Sequence, residues 1–212
     1  MIMARPRSAE YDDKRQAILD RSAKVFAAFG YDRASMAEVA RACGVSKSLL
    51  YHYYVNKEAL LYDILHAHLQ VLVDAVHAVD SSLPPRPRLR ALVAALLEAY
   101  RDADDEHKIQ LNELSRLPPK QKKILTDMER ELVRVFAAAI AAVNPALGGD
   151  DALLKPMTMS LFGMVNWHYM WFREGKALTR GDYAELVTTL LAEGAAALAA
   201  QAPVKAKRAA RA

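Results

Sequence analysis

Apolar residues recur along most of this chain at intervals of three and four, which places them on one face of an α-helix. Near the N-terminus this spacing predicts a helix from about residue 10 to residue 29, with an inner stripe of Ile18, Ser22, Val25, Phe26 and Phe29. No stretch shows the repeated short alternations that half-buried strands produce. The pattern therefore predicts an all-α protein.

Residues 35–53 predict two short helices joined by a tight turn. Ser35 is a suitable N-cap, and Glu38 three residues later completes a capping box. Gly44 can adopt the left-handed backbone conformation that such a turn needs. Ser46 then caps a third helix, expected over residues 47–53. This is the arrangement of a helix-turn-helix, whose second helix enters the DNA major groove.

The remaining pattern is helical as well. Asn56 is a suitable N-cap for a long helix that ends near residue 79, and the prolines within residues 81–88 interrupt the chain. Five further helices are predicted at about residues 88–102, 106–116, 118–143, 151–173 and 180–200. The chain is therefore expected to contain about nine helices.

Composition limits the location of the protein. Cys43 is the only cysteine, so an internal disulfide is excluded and a reducing cytosol is favoured. The first residues lack the apolar core of a secretory signal, and no apolar run reaches the ~18–20 residues that span a bilayer. We expect a cytoplasmic protein without a membrane partner.

The net charge of +4 is unevenly distributed. Residues 1–57 carry 10 Lys and Arg against 6 Asp and Glu, residues 58–202 carry 15 against 19, and residues 203–212 carry 4 against none. A basic N-terminal end favours a polyanionic partner such as nucleic acid. Ordinary scatter of surface charge is the alternative explanation.

The third predicted helix has the chemistry of a DNA-reading helix. Leu49, Leu50 and Tyr54 are expected to anchor one side of it. The other side carries side chains that can donate to phosphate oxygens or touch base edges, namely Lys47, Ser48, Tyr51, His52 and Tyr53. The alternatives are an ordinary three-helix core with half-buried tyrosines, or a helical interaction protein that does not bind DNA.

An enzyme is not expected from this sequence. It lacks an HExxH motif, a glycine-rich phosphate loop and a nucleophile motif. His66 and His68 are two positions apart and lie on different helix faces, which is poor geometry for a metal site. We therefore predict no catalytic residues, no metal and no resident cofactor.

Residues 14–61 resemble the N-terminal domain of the tetracycline-repressor (TetR) family. The resemblance rests on F-x-x-x-G-Y at 26–31, A-x-x-x-G-V-S at 40–46, L-Y-H-Y at 50–53 and N-K-E at 56–58. It implies a three-helix DNA-binding domain, a helical domain that binds a small molecule and dimerises, and repression that the small molecule relieves. It also implies that Ser35 and Lys57 clamp the DNA backbone.

These observations give the domain division and the candidate DNA contacts. We expect a helix-turn-helix domain over residues 10–57, a ligand-binding and dimerisation domain over 58–202, and a disordered basic tail over 203–212 that begins where Pro203 ends the last helix. The partner is double-stranded DNA with a palindromic operator. The predicted DNA contacts are Ser35, Ser46, Lys47, Ser48, Tyr51, His52, Tyr53 and Lys57.

The helix predicted at 151–173 is the candidate effector site. Helical spacing places Phe162, Asn166, Tyr169 and Arg173 on one stripe and Trp167, Met170 and Trp171 on the adjoining one. A buried Asn needs a partner, and methionines suit an adaptable pocket. The alternative is a well-packed core and dimer face in which Asn166 is satisfied locally.

Residues 110–198 more loosely resemble TetR-family repressors of degradation pathways that sense acyl-coenzyme A thioesters. This resemblance implies an acyl-CoA effector, with an apolar slot for the acyl chain and cations for the phosphates. The available cations are Arg116, Lys120, Lys122, Lys123, Arg173 and Lys176. Another apolar or aromatic compound is the alternative effector. The last two helices, with small residues at Ala192 and 194–197, are expected to form the interface of a homodimer.

Overall fold

The computed structural model describes the backbone of residues 6–145, 151–173, 175 and 178–209, and all its regular structure is helical. Its helices are α1 Pro6–Phe29, α2 Met36–Cys43, α3 Lys47–Tyr53, α4 Lys57–His77, α5 Pro85–Ala99, α6 Asp104–Glu113, α7 Pro119–Val143, α8 Asp151–Asn166, α9 His168–Trp171 and α10 Arg180–Ala209. A 3₁₀ turn, Leu114–Arg116, follows α6. The all-α class is confirmed, with nine helices longer than one turn in this described part. Lys176 lies outside the described residues.

The chain forms two compact units. The first contains the residues up to Gln70 together with Asp102–Asp127, and the second contains Val71–Arg101 and the chain from Met128 onward. α4 and α7 therefore contribute residues to both units. The division predicted at residues 57 and 58 falls inside the first unit, because α6 packs along α1 and Arg15 of α1 pairs with Asp63 of α4 at 2.6 Å.

The core of the first unit follows the stripe predicted for α1, except at its end. Ile18, Ser22 and Phe26 are buried, whereas Phe29 is 61% exposed, so its assignment to the inner stripe is wrong. Phe29 is the last residue of α1, so the helix does not continue beyond it. The end of α1 is held instead by Lys108 of α6, whose ammonium donates to the carbonyl of Ala27 at 2.7 Å.

The local signals between α1 and α4 are confirmed. Ser35 and Glu38 form the capping box at the start of α2, and Gly44 adopts the left-handed conformation with φ of 67°. The Ser46 hydroxyl accepts from the Leu49 amide at 3.1 Å. The Asn56 side chain accepts from the Ala59 amide at 2.8 Å. These caps satisfy amides that a helix start leaves without intrahelical partners.

Two proline predictions are wrong in detail. α5 begins at Pro85 rather than near residue 88, because a proline in the first helical turn loses no intrahelical hydrogen bond. α10 continues past Pro203 to Ala209 instead of ending there. The residues around Pro203 are mostly Ala and Lys, which favour the helical backbone.

The helix predicted at 151–173 is interrupted at Trp167. α8 ends at Asn166, and the short α9 begins at His168. Two contacts from α10 accompany the break. The Tyr183 hydroxyl donates to the Met164 carbonyl at 3.0 Å, and the Tyr183 ring stacks on His168 with centroids 5.4 Å apart.

His168 is the centre of an aromatic cluster in the second unit. Its ring is buried and stacks on Phe172 at 4.2 Å as well as on Tyr183. Burial, followed by the nearby positive charge of Arg180, lowers the pKa of His168 to about 4. The imidazole is therefore neutral at pH 7, and it packs as an aromatic ring.

α4 is the one described helix long and apolar enough to cross a membrane by length and composition alone, and 44% of its most apolar window is buried. The core helix of a soluble protein passes the same test. Its leucines at 60, 61, 65, 69 and 72 are buried. α4 therefore serves this fold as a core helix.

Acid should destabilise the second unit through His168. The unfolded imidazole has its ordinary pKa of 6.5 and the folded one a pKa of about 4. As pH falls, the unfolded chain therefore takes up the proton first, so the free energy of unfolding decreases between pH 6.5 and 4. Denaturant unfolding of His168→Phe should show a smaller decrease over this range.

His52→Phe is the matched control, because His52 is exposed. Some pH dependence should remain in His168→Phe, since burial also lowers the pKa of His68, to about 3. An unchanged pH dependence in His168→Phe would contradict the role assigned to this ring.

Candidate DNA-binding interface

α3 is anchored on one side only. Leu50 is fully buried, and Tyr54, which caps the C-terminal end of the helix, is buried as well. Leu49 is half-buried. The opposite side is polar and accessible, with Lys47, Ser48, Tyr51 and His52 exposed and Tyr53 half-buried.

A shallow groove lies beside α3, where the chain enters α2 and α4. Its volume is about 370 Å³, and it is lined by Ala34, Ser35, Met36, Ala37, Lys47, Tyr51, Val55, Asn56 and Lys57. The first turns of α2 and α4 thus border the same groove. Helix N-termini attract anions, so the groove suits a backbone phosphate.

Lys47 and Tyr51 are the donors best placed to meet a phosphate. Both are exposed, and the Lys47 ammonium lies 5.8 Å from the centroid of the Tyr51 ring. They are four positions apart, so they share one face of α3. An ammonium and a phenol on this face can donate to neighbouring phosphate oxygens.

The two predicted backbone clamps are engaged inside the chain. The Ser35 hydroxyl donates to the Glu38 carboxylate at 2.7 Å and accepts from the Glu38 amide at 3.2 Å. The hydrogen bonds from Ser35 lower the pKa of Glu38. The Lys57 ammonium donates to backbone carbonyls, at 2.7 Å to Tyr31 and 3.0 Å to Ala34.

In the chain without DNA the Lys57 ammonium is occupied by backbone carbonyls, and its contact with a DNA phosphate remains a prediction. The turn between α1 and α2 brings three carbonyl oxygens within reach of the ammonium. A pattern along the sequence cannot show such a contact, because it joins residues 23 to 26 positions apart.

Ser46 and the end of α3 complete the face. The Ser46 hydroxyl caps α3 and lies 3.0 Å from the Ser48 hydroxyl. The Tyr53 ring stacks on Tyr11 of α1 with centroids 4.7 Å apart and 21° between the planes, and His52 meets Tyr53 edge to face. Tyr11 was not expected at this surface, since a ring contact between residues 42 positions apart leaves no pattern in the sequence.

The predicted effector residues separate into an inner and an outer group. Phe162 is buried and meets Phe136 edge to face. Asn166 accepts a hydrogen bond at 2.9 Å from the hydroxyl of Tyr100, a buried residue directly after α5 that the sequence pattern did not single out. Burial raises the pKa of the Tyr100 phenol, which therefore remains a hydrogen-bond donor.

The outer group is exposed in the part of the chain that the structure describes. Trp167, Met170 and Trp171 are 58%, 51% and 47% exposed, which differs from the predicted apolar pocket. Arg173 is exposed, and its guanidinium donates to the Phe172 carbonyl. The break at Trp167 reorients these side chains relative to one continuous helix. Tyr169 is half-buried beside Trp167.

The predicted cations differ in their availability. Arg116 pairs with Asp32 at 2.6 Å, and Lys123 pairs with Asp127 in the next turn of α7. Lys120 and Lys122 are exposed on the first turns of α7. Their role toward an effector remains a prediction.

Comparison with known proteins gives the family. The profile described as "Tetracyclin repressor-like, C-terminal domain" matches residues 82–195, and that described as "Bacterial regulatory proteins, tetR family" matches residues 18–64. The transcriptional regulator BetI of Rhizobium meliloti is 30% identical over 142 residues, which cover 66% of this chain and 68% of that protein.

Solved structures agree. A TetR-family transcriptional regulator from Bordetella parapertussis is similar with a TM-score of 0.79 and 35% identity, over 84% of this chain and 93% of that one. AibR, in complex with isovaleryl coenzyme A and operator DNA, is similar with a TM-score of 0.71 and 26% identity, over 84% and 97%.

The chain therefore belongs to the TetR family of transcriptional regulators, which bind DNA through a helix-turn-helix and are not enzymes. It has a DNA-binding domain and a ligand-binding domain.

Replacing Tyr51 by Ala should remove a central part of the α3 face without disturbing the core, because the side chain is exposed. We expect DNA affinity to fall by about tenfold or more, while the melting temperature changes little. Tyr51→Phe separates the hydroxyl from the ring. Unchanged affinity in Tyr51→Ala, measured by fluorescence anisotropy, would contradict the assigned interface.

Proposed function

We propose that this chain is a homodimeric repressor that binds a palindromic operator and is released by an acyl-CoA thioester. The observation that carries the proposal is the one-sided anchoring of α3, which leaves Lys47, Ser48, Tyr51 and His52 accessible beside a groove suited to phosphate. Family membership supports DNA as the partner.

The operator is read by two copies of α3 in adjacent major grooves. α3 offers no Arg, Asn or Gln for a bidentate base contact. Ser48 and His52 supply single hydrogen bonds to base edges, while phosphate contacts and DNA shape supply much of the remaining specificity. A cytoplasmic location without a membrane partner is part of the proposal.

The homodimer uses an apolar surface of the second unit. Around the break between α8 and α9 the exposed residues are Met159, Gly163, Trp167, Met170 and Trp171, and on α10 Leu186 and Leu190 are exposed as well. Monomeric proteins rarely expose large contiguous apolar patches. A second copy covers this surface by two-fold symmetry and sets the reading helices ~34–36 Å apart.

The ligand of a similar protein favours an acyl-CoA as the effector of this chain. AibR, 26% identical, has been crystallised with isovaleryl coenzyme A and operator DNA. In this chain Phe162 and Phe136 supply apolar surface, and the Tyr100–Asn166 pair is the polar group that can respond to a thioester carbonyl. Arg173 and the lysines of α7 are the cations proposed for the coenzyme phosphates. Another apolar or aromatic compound is the second candidate.

Release requires the effector to bind two states of the dimer differently. An effector that favours the DNA-incompetent spacing by 1.4 kcal/mol weakens operator binding about tenfold. α4 and α7 each contribute residues to both units, so they are the elements through which we propose that the change is coupled.

The functional test is an electrophoretic shift of the DNA upstream of the chain's own coding region. We expect a specific shift that CoA thioesters reverse, whereas the corresponding free acids and coenzyme A alone do not. Asn166→Ala should weaken the response to thioesters without weakening DNA binding. Release by free acids alone would reject the thioester, and release by unrelated aromatic compounds would favour the second candidate.

The dimer has its own test. Trp171→Glu places a charge in the proposed interface, and we expect light scattering to change from twice the chain mass of 23.5 kDa to a single chain. Ile124→Glu is the matched control, because Ile124 is exposed on α7 of the first unit. A dimer that persists in Trp171→Glu would place the interface elsewhere.

A further inference from the structure

The turn between α1 and α2 is held from outside by Lys57, the first residue of α4. Its ammonium donates to the carbonyls of Tyr31 at 2.7 Å, Ala34 at 3.0 Å and Asp32 at 3.4 Å. The same ammonium lies 4.2 Å from the centroid of the Tyr31 ring. One side chain thus contacts three residues of this turn, Tyr31, Asp32 and Ala34.

The chemistry of the contact is specific to lysine. An ammonium has three N–H donors on a compact head, and three carbonyls surround it here. The face of the Tyr31 ring adds a cation–π attraction. A guanidinium is planar and holds its donors in a rigid fork, so it cannot direct them at the same three carbonyl oxygens.

The turn controls one wall of the groove beside α3. It leads into Ser35, which caps α2, and Ala34 and Ser35 line the groove together with Lys47 and Tyr51. Displacing the turn would move this wall and the first amides of α2 relative to α3. Arg116 holds the same turn at Asp32, but this ion pair is exposed and therefore weak.

We propose that Lys57 is a positioning residue for operator binding: it fixes the α1–α2 turn, and with it the capped start of α2, and it does not itself neutralise a phosphate. The inference rests on the proposed DNA-binding function. It assigns Lys57 and Lys47 different roles, although both line one groove.

Salt dependence distinguishes the two roles. Each phosphate neutralised by a protein cation contributes about 0.9 to the slope of log affinity against log salt concentration. Losing a phosphate contact therefore reduces the slope by about one, whereas losing a positioning contact lowers affinity through misplacement of other groups. In that case the slope is retained.

The experiment compares Lys57→Met, Lys57→Arg and Lys47→Ala with the unaltered chain. Affinity for the upstream DNA fragment is measured by anisotropy at several salt concentrations. Hydrogen exchange of the Ala34 amide, which donates to the Gly30 carbonyl at 3.2 Å, is measured in the protein without DNA. Circular dichroism and light scattering check fold and dimer.

We expect Lys57→Met to bind DNA about tenfold or more weakly with an unchanged slope and to exchange the Ala34 amide faster. Lys57→Arg should behave similarly, because the arginine keeps the positive charge but cannot make the same hydrogen bonds to the three carbonyls of the turn. Lys47→Ala should lose about one unit of slope and leave the Ala34 amide protected. If Lys57→Met does not fold, Lys57→Arg carries the test.

Three results would overturn the proposal. They are a loss of slope in Lys57→Met equal to that in Lys47→Ala, a full rescue of affinity by Lys57→Arg, and unchanged exchange of the Ala34 amide in both variants. Failure of the unaltered chain to bind DNA would instead count against the proposed function. The exchange measurement in the free protein would still decide whether Lys57 holds the turn.

Discussion

A helix of seven residues cannot maintain its shape alone in water, since isolated helices shorter than about 12–15 residues are marginal. α3 has this length, and its position depends on the groups that hold it. Ser46 caps its start, Leu50 and Tyr54 bury one side, and Tyr53 stacks on Tyr11 of α1. Because all of these contacts lie at the ends or on one side, the other side remains polar and accessible. We propose that α3 reads DNA with the side that this one-sided support leaves accessible.

The second unit meets the opposite constraint, because it carries more apolar surface than its own core covers. Trp167, Met170 and Trp171 are about half exposed next to the break that separates α8 from α9. The break is accompanied by the His168–Tyr183 stack, which is internal to the unit. The proposed assignment therefore gives the outer aromatic residues to a second copy and the inner Tyr100–Asn166 pair to the effector.

Local interactions were predictable from the sequence, and long-range ones were not. The capping box of Ser35, the left-handed Gly44 and the fold class follow from residues a few positions apart. The apolar spacing at 151–173 continues through Trp167, so the sequence pattern did not predict that the helix is interrupted there. The contact that Tyr183 of α10 makes with the Met164 carbonyl beside this interruption is a long-range one. Lys57 matched the family motif, yet its ammonium is taken up by carbonyls that only the folded turn assembles. The exposed α3 face agrees with its expected placement, while the DNA contacts themselves remain predictions.

The central claim is that α3 enters the major groove of an operator in two symmetric copies. Dimethyl sulfate footprinting tests it directly, because the reagent methylates guanine N7 in the major groove and adenine N3 in the minor groove. We expect protection of N7 in two patches whose centres lie about 10 base pairs, or a multiple of this spacing, apart, with adenine N3 at the same positions still reactive. Protection confined to adenine N3, or one unpaired patch, would contradict the account.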